Sequence, residues 1–138
     1  MTIFLDIDGV LNQLQPYKLD EKCISNLANL CINLDANIVL TSSWRLGFTH
    51  NFSSCSPQVQ ELRQLLKHYG VDISGRTKSL GSRYFEIECY IKEYNISEYI
   101  ILDDDKSEFV KSDKNLYFIN YKTGLTYKYV KFLLRRYK

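Results

Sequence analysis

Residues 3–12 read Ile-Phe-Leu-Asp-Ile-Asp-Gly-Val-Leu-Asn, an apolar run closed by two carboxylates one residue apart and then a glycine. Side chains alternate faces along a strand, so Asp6 and Asp8 share a face only while the strand continues. Gly9 is the residue that lets the chain turn there instead. Two acidic groups at a strand's end, beside a turn, can hold a divalent cation and present one carboxylate as a nucleophile. One residue of the Asp103-Asp104-Asp105 run would add a further hard oxygen ligand, which suits magnesium. A magnesium ion would draw in a phosphate and leave Asp6 free to attack phosphorus. Asp8 could then protonate the leaving group and later activate the water that breaks down the aspartyl-phosphate.

Thr41 directly follows Ile38-Val39-Leu40. Its hydroxyl and the next backbone N–H could bind phosphate oxygens where the chain leaves a strand. Each of these motifs has a plainer reading. Acidic residues after a strand are often solvated loop residues, and Thr-Ser-Ser is a common polar strand exit. Two acidic clusters, each straight after a buried strand, weigh against the plain reading here. Trp44 is expected to pack against the following helix in preference to stacking on a substrate. Arg45 is open to two roles, pairing with a substrate phosphate or standing in solvent.

The elements that must position these groups alternate along the chain. Residues 2–7 read as a buried strand, and Asp20 can cap a helix to about Leu34 with Ile24, Leu27, Cys31 and Leu34 on one stripe. Residues 37–41 form a second strand. Ser56-Pro57 starts a helix buried through Val59, Leu62, Leu66 and Tyr69, and Gly70 ends it. Residues 71–73 read as a short third strand. Ser82 opens a helix with Tyr84, Ile87, Ile91 and Tyr94 inward, ending at Asn95. Residues 99–102 and 116–119 are the fourth and fifth strands. Gly124 and Thr126 introduce a last helix with Tyr127, Val130, Leu134 and Tyr137 in a stripe. Strands separated by helices predict an α/β fold, a Rossmann-like parallel five-stranded sheet with helices on both faces. In such sheets ligands sit beyond the carboxyl ends of the strands, near the point where strand order reverses. Asp6, Thr41 and Asp103 would all meet on that edge.

The bulk properties narrow the class. A chain of 138 residues is the size of one domain, and no repeat, low-complexity tract or linker divides residues 1–138. Hydrophobic content of 45% with 25% charged residues fits a folded protein and argues against disorder. No apolar stretch reaches membrane-spanning length, and the N-terminus has no export signal, so a cytoplasmic location is expected. A net charge of +2 does not by itself imply nucleic-acid binding. Lys122, Lys128, Lys131, Arg135 and Arg136 make the C-terminal region basic, which reads first as a solvated face. Many of the 11 tyrosines, which could stack on bases, fall on the stripes assigned to the core. Cys23, Cys31, Cys55 and Cys89 form no CxxC pair and are expected as reduced thiols. A zinc site from Cys55, His50 and His68 matches no ligand spacing.

These residues resemble the haloacid dehalogenase (HAD) superfamily of phosphohydrolases. The first motif is matched by Asp6-Ile7-Asp8-Gly9-Val10-Leu11-Asn12, the second by Thr41, and the fourth by Asp103-Asp104 after Tyr-Ile-Ile-Leu. The basic residue of the third motif is matched by Arg83, with Lys78 as competitor. The strings Thr-Ser-Ser-Trp-Arg, Arg83-x-x-Glu86-Ile87, Leu102-Asp103-Asp104-Asp105 and Gly124-Leu125-Thr126 look like a small subgroup, the stand-alone HAD domain that also occurs in multidomain RNA-repair proteins. The resemblance implies Asp6 as nucleophile and magnesium ligand, and Asp8 as general acid/base with its backbone carbonyl on the metal. It implies Asp104 as the completing ligand, with Asp103 and Asp105 around it in exchangeable supporting roles. Thr41 and Ser42 would hold the phosphoryl group, and Arg83 or Lys78 would stabilise the charge on the nucleophile and on that group. Many relatives carry lysine in the third motif, and an arginine there binds as a planar fork.

About a dozen residues separate Asp8 from the first helix, too few for the cap domain that many small-metabolite relatives carry. The expectation is therefore a magnesium-dependent phosphatase with an open site, suited to a large substrate such as a nucleotide or a nucleic-acid end. No GxxxxGK segment provides for a kinase. Neither a membrane nor an obligate protein partner is expected. The alternative is a non-catalytic HAD-like module that binds a nucleotide or a phosphorylated end.

Overall fold

The structure is a computed structural model that describes residues 1–13 and 18–138. Residues 14–17, within the connection counted above between Asp8 and the first helix, lie outside the described residues. Five strands form one all-parallel sheet in the order β3-β2-β1-β4-β5: β1 Thr2–Leu5, β2 Asn37–Leu40, β3 Ile73–Arg76, β4 Tyr99–Asp103 and β5 Leu116–Phe118. The helices are α1 Glu21–Leu34, α2 Pro57–His68, α3 Arg83–Glu93 and α4 Tyr127–Tyr137. This is the predicted Rossmann-like α/β architecture, and the described residues include no cap domain.

The alternation of side chains along the strands divides the core in two. Ile3, Leu5, Ile38, Leu40, Ile100 and Leu102 face a large core shared with α1, α2 and α4. Phe4, Val39 and Ile101 face the other way and pack with Ile87 of α3. Helices therefore cover both faces, and β1 is buried on each. From β1 the chain steps outward through β2 to β3, then returns to β4 on the opposite side. The order reverses beside β1, so the crevice such a reversal leaves opens at the end of β1, next to Asp6.

Local signals set the helix ends. Asp20 accepts from the Lys22 N–H at 2.8 Å to cap α1, and Ser56 caps α2 just before Pro57. The third strand lies later than the predicted residues 71–73. The Val71 N–H bonds back to the Leu66 carbonyl at 3.1 Å, and Gly70 turns at a φ of +83°, so Val71 still belongs to the stop of α2. β3 runs on through Gly75, where a Cβ would stand 2.9 Å from the Tyr90 hydroxyl of α3. Two aromatics also fall outside the core predicted for them. Tyr94 follows the last turn of α3 and is 59% exposed, stacked on Tyr90, and Tyr127 at the start of α4 is 57% exposed. On α4 Val130 and Leu133 are buried, and Leu134 and Tyr137 pack against the same core, so the predicted stripe holds apart from Tyr127 and gains Leu133. All four cysteines are free. No helix among the described residues is long and apolar enough to cross a membrane.

Candidate active site

β1 ends on Leu5, and the backbone N–H of the next residue, Asp6, still reaches across to the Leu102 carbonyl of β4 at 3.0 Å. The strand is shorter than predicted, and the chain turns at once, with Val10 and Leu11 both donating to the Ile7 carbonyl. Gly9 takes a φ of +84°, and a Cβ there would run into the Asp104 carboxylate. Its N–H donates to Asn12 Oδ1 at 2.9 Å, and Asn12 Nδ2 in turn donates to Asp8 Oδ1 at 2.8 Å. The other oxygen of Asp8 accepts from the indole N–H of Trp44 at 3.2 Å.

β4 carries Asp103 as its last residue, one position beyond the predicted end, and fully buried. Its Oδ1 accepts from the Asp105 N–H at 2.9 Å. Its Oδ2 accepts from Arg83 Nη1 at 2.8 Å. Arg83 is the first residue of α3, which Ser82 caps, so the helix start delivers the guanidinium to the sheet edge. The same Nη1 lies 3.9 Å from Asp6, and Nε lies 3.8 Å from Glu108. Asp6, Asp103 and Asp104 each offer an oxygen within 4.8 Å of the others'. Burial, followed by repulsion from Asp103, pushes the Asp6 carboxyl up to about 9, with Arg83 working against the rise. Burial also raises Asp103, despite its pairing with Arg83. A single guanidinium among this many carboxylates leaves a negative excess, and an all-oxygen donor set of that charge fits a hard divalent cation.

The third side of the site is the exit of β2. The Thr41 N–H bonds to the Leu5 carbonyl at 3.1 Å, which holds that exit against β1. The hydroxyls of Thr41 and Ser42 are buried and have no hydrogen-bond partner among the described residues. A buried hydroxyl left unpaired is costly, so two side by side at a sheet edge mark a place where a polar ligand would supply the acceptors. Asp6, Asp8, Ser42, Ser43, Arg83 and Asp104 line one cavity of ≈ 400 Å³.

The structure thus brings together Asp6, Asp8, Thr41, Ser42, Arg83 and the Asp103–Asp105 run. It does not bring Lys78 to them. That ammonium is 71% exposed and pairs with Glu93 at 3.2 Å, because Lys78 lies on the loop before α3 and not on the helix start. Arg45 is likewise not free for a phosphate. It donates to the Thr41 carbonyl at 2.6 Å and pairs with buried Glu86 at 3.3 Å, so it braces the β2 exit. The carboxylates that cluster are Asp6, Asp103 and Asp104, which puts Asp103 closer to the centre than the supporting place expected of it. Asp105 also lines the cavity, and it caps the turn after β4 by accepting from Ser107. The sequence reading assigned no role to Asn12 and preferred packing over substrate stacking for Trp44. Their bonds to Asp8 depend on a tertiary approach, though Asn12 stands within the first motif itself.

Both the fold and the convergence of strand ends are those of the HAD superfamily. Within that class, a family model matches residues 2–130, and the chain belongs to that family, the HAD domain in Swiss Army Knife RNA repair proteins. No curated protein and no solved structure matches the chain. Membership supports a phosphohydrolase-type enzyme at the level of the superfamily.

Proposed function

We propose that the protein is a magnesium-dependent phosphomonoesterase that works through an aspartyl-phosphate on Asp6. The observation that carries this reading is the convergence of the Asp6 carboxylate, the Arg83 guanidinium and the unpaired Thr41 and Ser42 hydroxyls at one sheet edge. Asp6, Asp104 and the backbone carbonyl of Asp8 would hold magnesium, with Asp103 beside them. The ion, when bound, would neutralise phosphate charge and polarise the phosphoryl group. Thr41 and Ser42 would donate to the phosphoryl oxygens and end their own lack of partners. Arg83 would orient Asp6 and share the charge of the transferring group. An oxygen of Asp6 forms a bond to phosphorus as the ester bond breaks, and the leaving oxygen takes a proton from Asp8. Water then attacks phosphorus, returns a proton to Asp8, and frees Asp6 and inorganic phosphate.

The absence of a cap among the described residues favours a large phosphorylated substrate. The family's occurrence in RNA-repair proteins favours a nucleotide or nucleic-acid end. The test is hydrolysis of 4-nitrophenyl phosphate and of 5′- and 3′-phosphorylated oligonucleotides, with magnesium and with chelator. Magnesium-dependent release of phosphate is expected, lost in Asp6→Asn while the circular dichroism spectrum is kept. Undiminished turnover by that variant would exclude the covalent route.

A further inference from the structure

Asp8 lines the cavity with both of its oxygens already engaged by neighbouring side chains. Asn12 Nδ2 donates to one oxygen at 2.8 Å and Trp44 Nε1 to the other at 3.2 Å. Both donors come from side chains that are almost fully buried, Asn12 at 1% and Trp44 at 6% exposure. The orientation of the Asn12 amide is fixed independently, because its oxygen accepts the Gly9 N–H at 2.9 Å. That leaves the NH₂ group, a donor only, turned toward Asp8. An indole N–H is also a donor only. The carboxylate is therefore gripped at both oxygens, and each oxygen keeps a further lone pair for exchange with a substrate.

The two grips come from different parts of the site. Asn12 lies on the turn that follows Asp8. Trp44 lies on the short helical turn Ser43–Gly47, straight after the Thr41 and Ser42 hydroxyls. The segment that presents those hydroxyls thus also orients Asp8.

We propose that Trp44 and Asn12 are positioning residues for proton transfer, which hold the Asp8 carboxyl at the angle from which it protonates the leaving oxygen. This role rests on the phosphatase reading above. It matters in proportion to how much the leaving group needs a proton. A 4-nitrophenolate leaves without one, whereas the 5′-oxygen of a nucleoside monophosphate cannot. Misplacing a general acid by a fraction of a bond length lowers the rate steeply for the second kind and little for the first.

The experiment compares kcat/KM for 4-nitrophenyl phosphate and a nucleoside 5′-monophosphate in wild type, Trp44→Phe and Asn12→Ala. Trp44→Phe keeps an aromatic ring and removes only the donor and part of the bulk, and thermal melts check that both variants fold. For the nucleotide, kcat/KM is expected to fall about 10–100-fold, with the loss in kcat and not in KM. For 4-nitrophenyl phosphate the fall is expected to stay within about threefold, since little proton transfer is needed there. An equal fall on both substrates would mean general damage to the site and overturn the proposal, as would no fall on either. If Asn12→Ala does not fold, Trp44→Phe alone decides. A wild-type protein with no Asp6-dependent turnover would instead overturn the phosphatase reading, and this role with it.

Discussion

An alanine at position 9 would carry its methyl group into the Asp104 carboxylate, on a backbone held at a φ of +84° that L-residues rarely adopt. Both costs fall on the same loop, so Gly9→Ala is expected to lower stability by about 1–3 kcal/mol. It should also displace Asp104 and weaken magnesium binding. Thermal melts and a calorimetric magnesium titration measure the two effects, and wild-type magnesium affinity in the variant would contradict the second. At this scale the sequence was legible where a residue's role follows from its place on a strand. Asp6, Thr41 and Asp103 each follow an apolar run, and the sheet brings their positions together. It was less legible where the role depends on which way a neighbour points. Arg83 and Lys78 are both cations upstream of β4, and only the capped start of α3 separates the one at the carboxylates from the one in solvent. Trp44 and Asn12 look like a packing residue and a turn residue until the Asp8 carboxylate is placed between them.

The elements are tied together by the Arg45–Glu86 pair. Arg45 reaches from the turn after β2 to the Thr41 carbonyl, to Ser79 and to Glu86 in the first turn of α3. Glu86 also accepts the Leu80 N–H at 2.7 Å, so one buried carboxylate fixes the loop that leads into the Arg83 helix. Glu86→Ala would leave Arg45 in a largely buried setting without its counter-charge, and a loss of about 3 kcal/mol is expected. Chemical denaturation measures it. Glu86→Gln, which keeps an acceptor for Leu80, should lose less, and equal losses would mean that the charge of Glu86 does not matter. Elements were most legible where they are buried on both sides. β1, β2 and β4 read as apolar runs, but β3 is an edge strand written Ile-Ser-Gly-Arg, with alternating exposure and a glycine that answers to Tyr90. Nothing in its own four residues distinguishes it from a loop, so the apolar Val71 just before it drew the reading too early.

For the molecule as a whole, the cluster at the sheet edge is a liability that ligand binding would relieve. Asp6 and Asp103 are buried carboxyl groups held up in pKa, with Arg83 as their shared partner. A cation that binds only the folded chain adds to its stability, by about 2.7 kcal/mol at a hundred times its Kd. Magnesium is therefore expected to raise the melting temperature of the wild type, measured by differential scanning calorimetry. Asp104→Asn should abolish most of that shift, and an unchanged shift in the variant would place the ion elsewhere. The three-layer fold was legible because strand and helix patterns alternate along most of the chain, with β4 and β5 following one another without an α-helix, and a parallel sheet is the arrangement that helical crossovers permit. The sheet order was not written in any one segment, since it depends on how distant strands pair.

That order has a consequence for how the chain is made. β1 is flanked by β2 and β4, and β4 begins about a hundred positions after β1. A chain emerging from the ribosome releases the Asp6 strand well before β4, so that strand gains its second neighbour only after residue 103 has followed. Until then it has one open edge, no Asp103 or Asp104 beside it, and no seat for the Arg83 guanidinium. A product interrupted before β4 would carry Asp6 without the Asp103 and Asp104 carboxylates that stand beside it in the finished sheet.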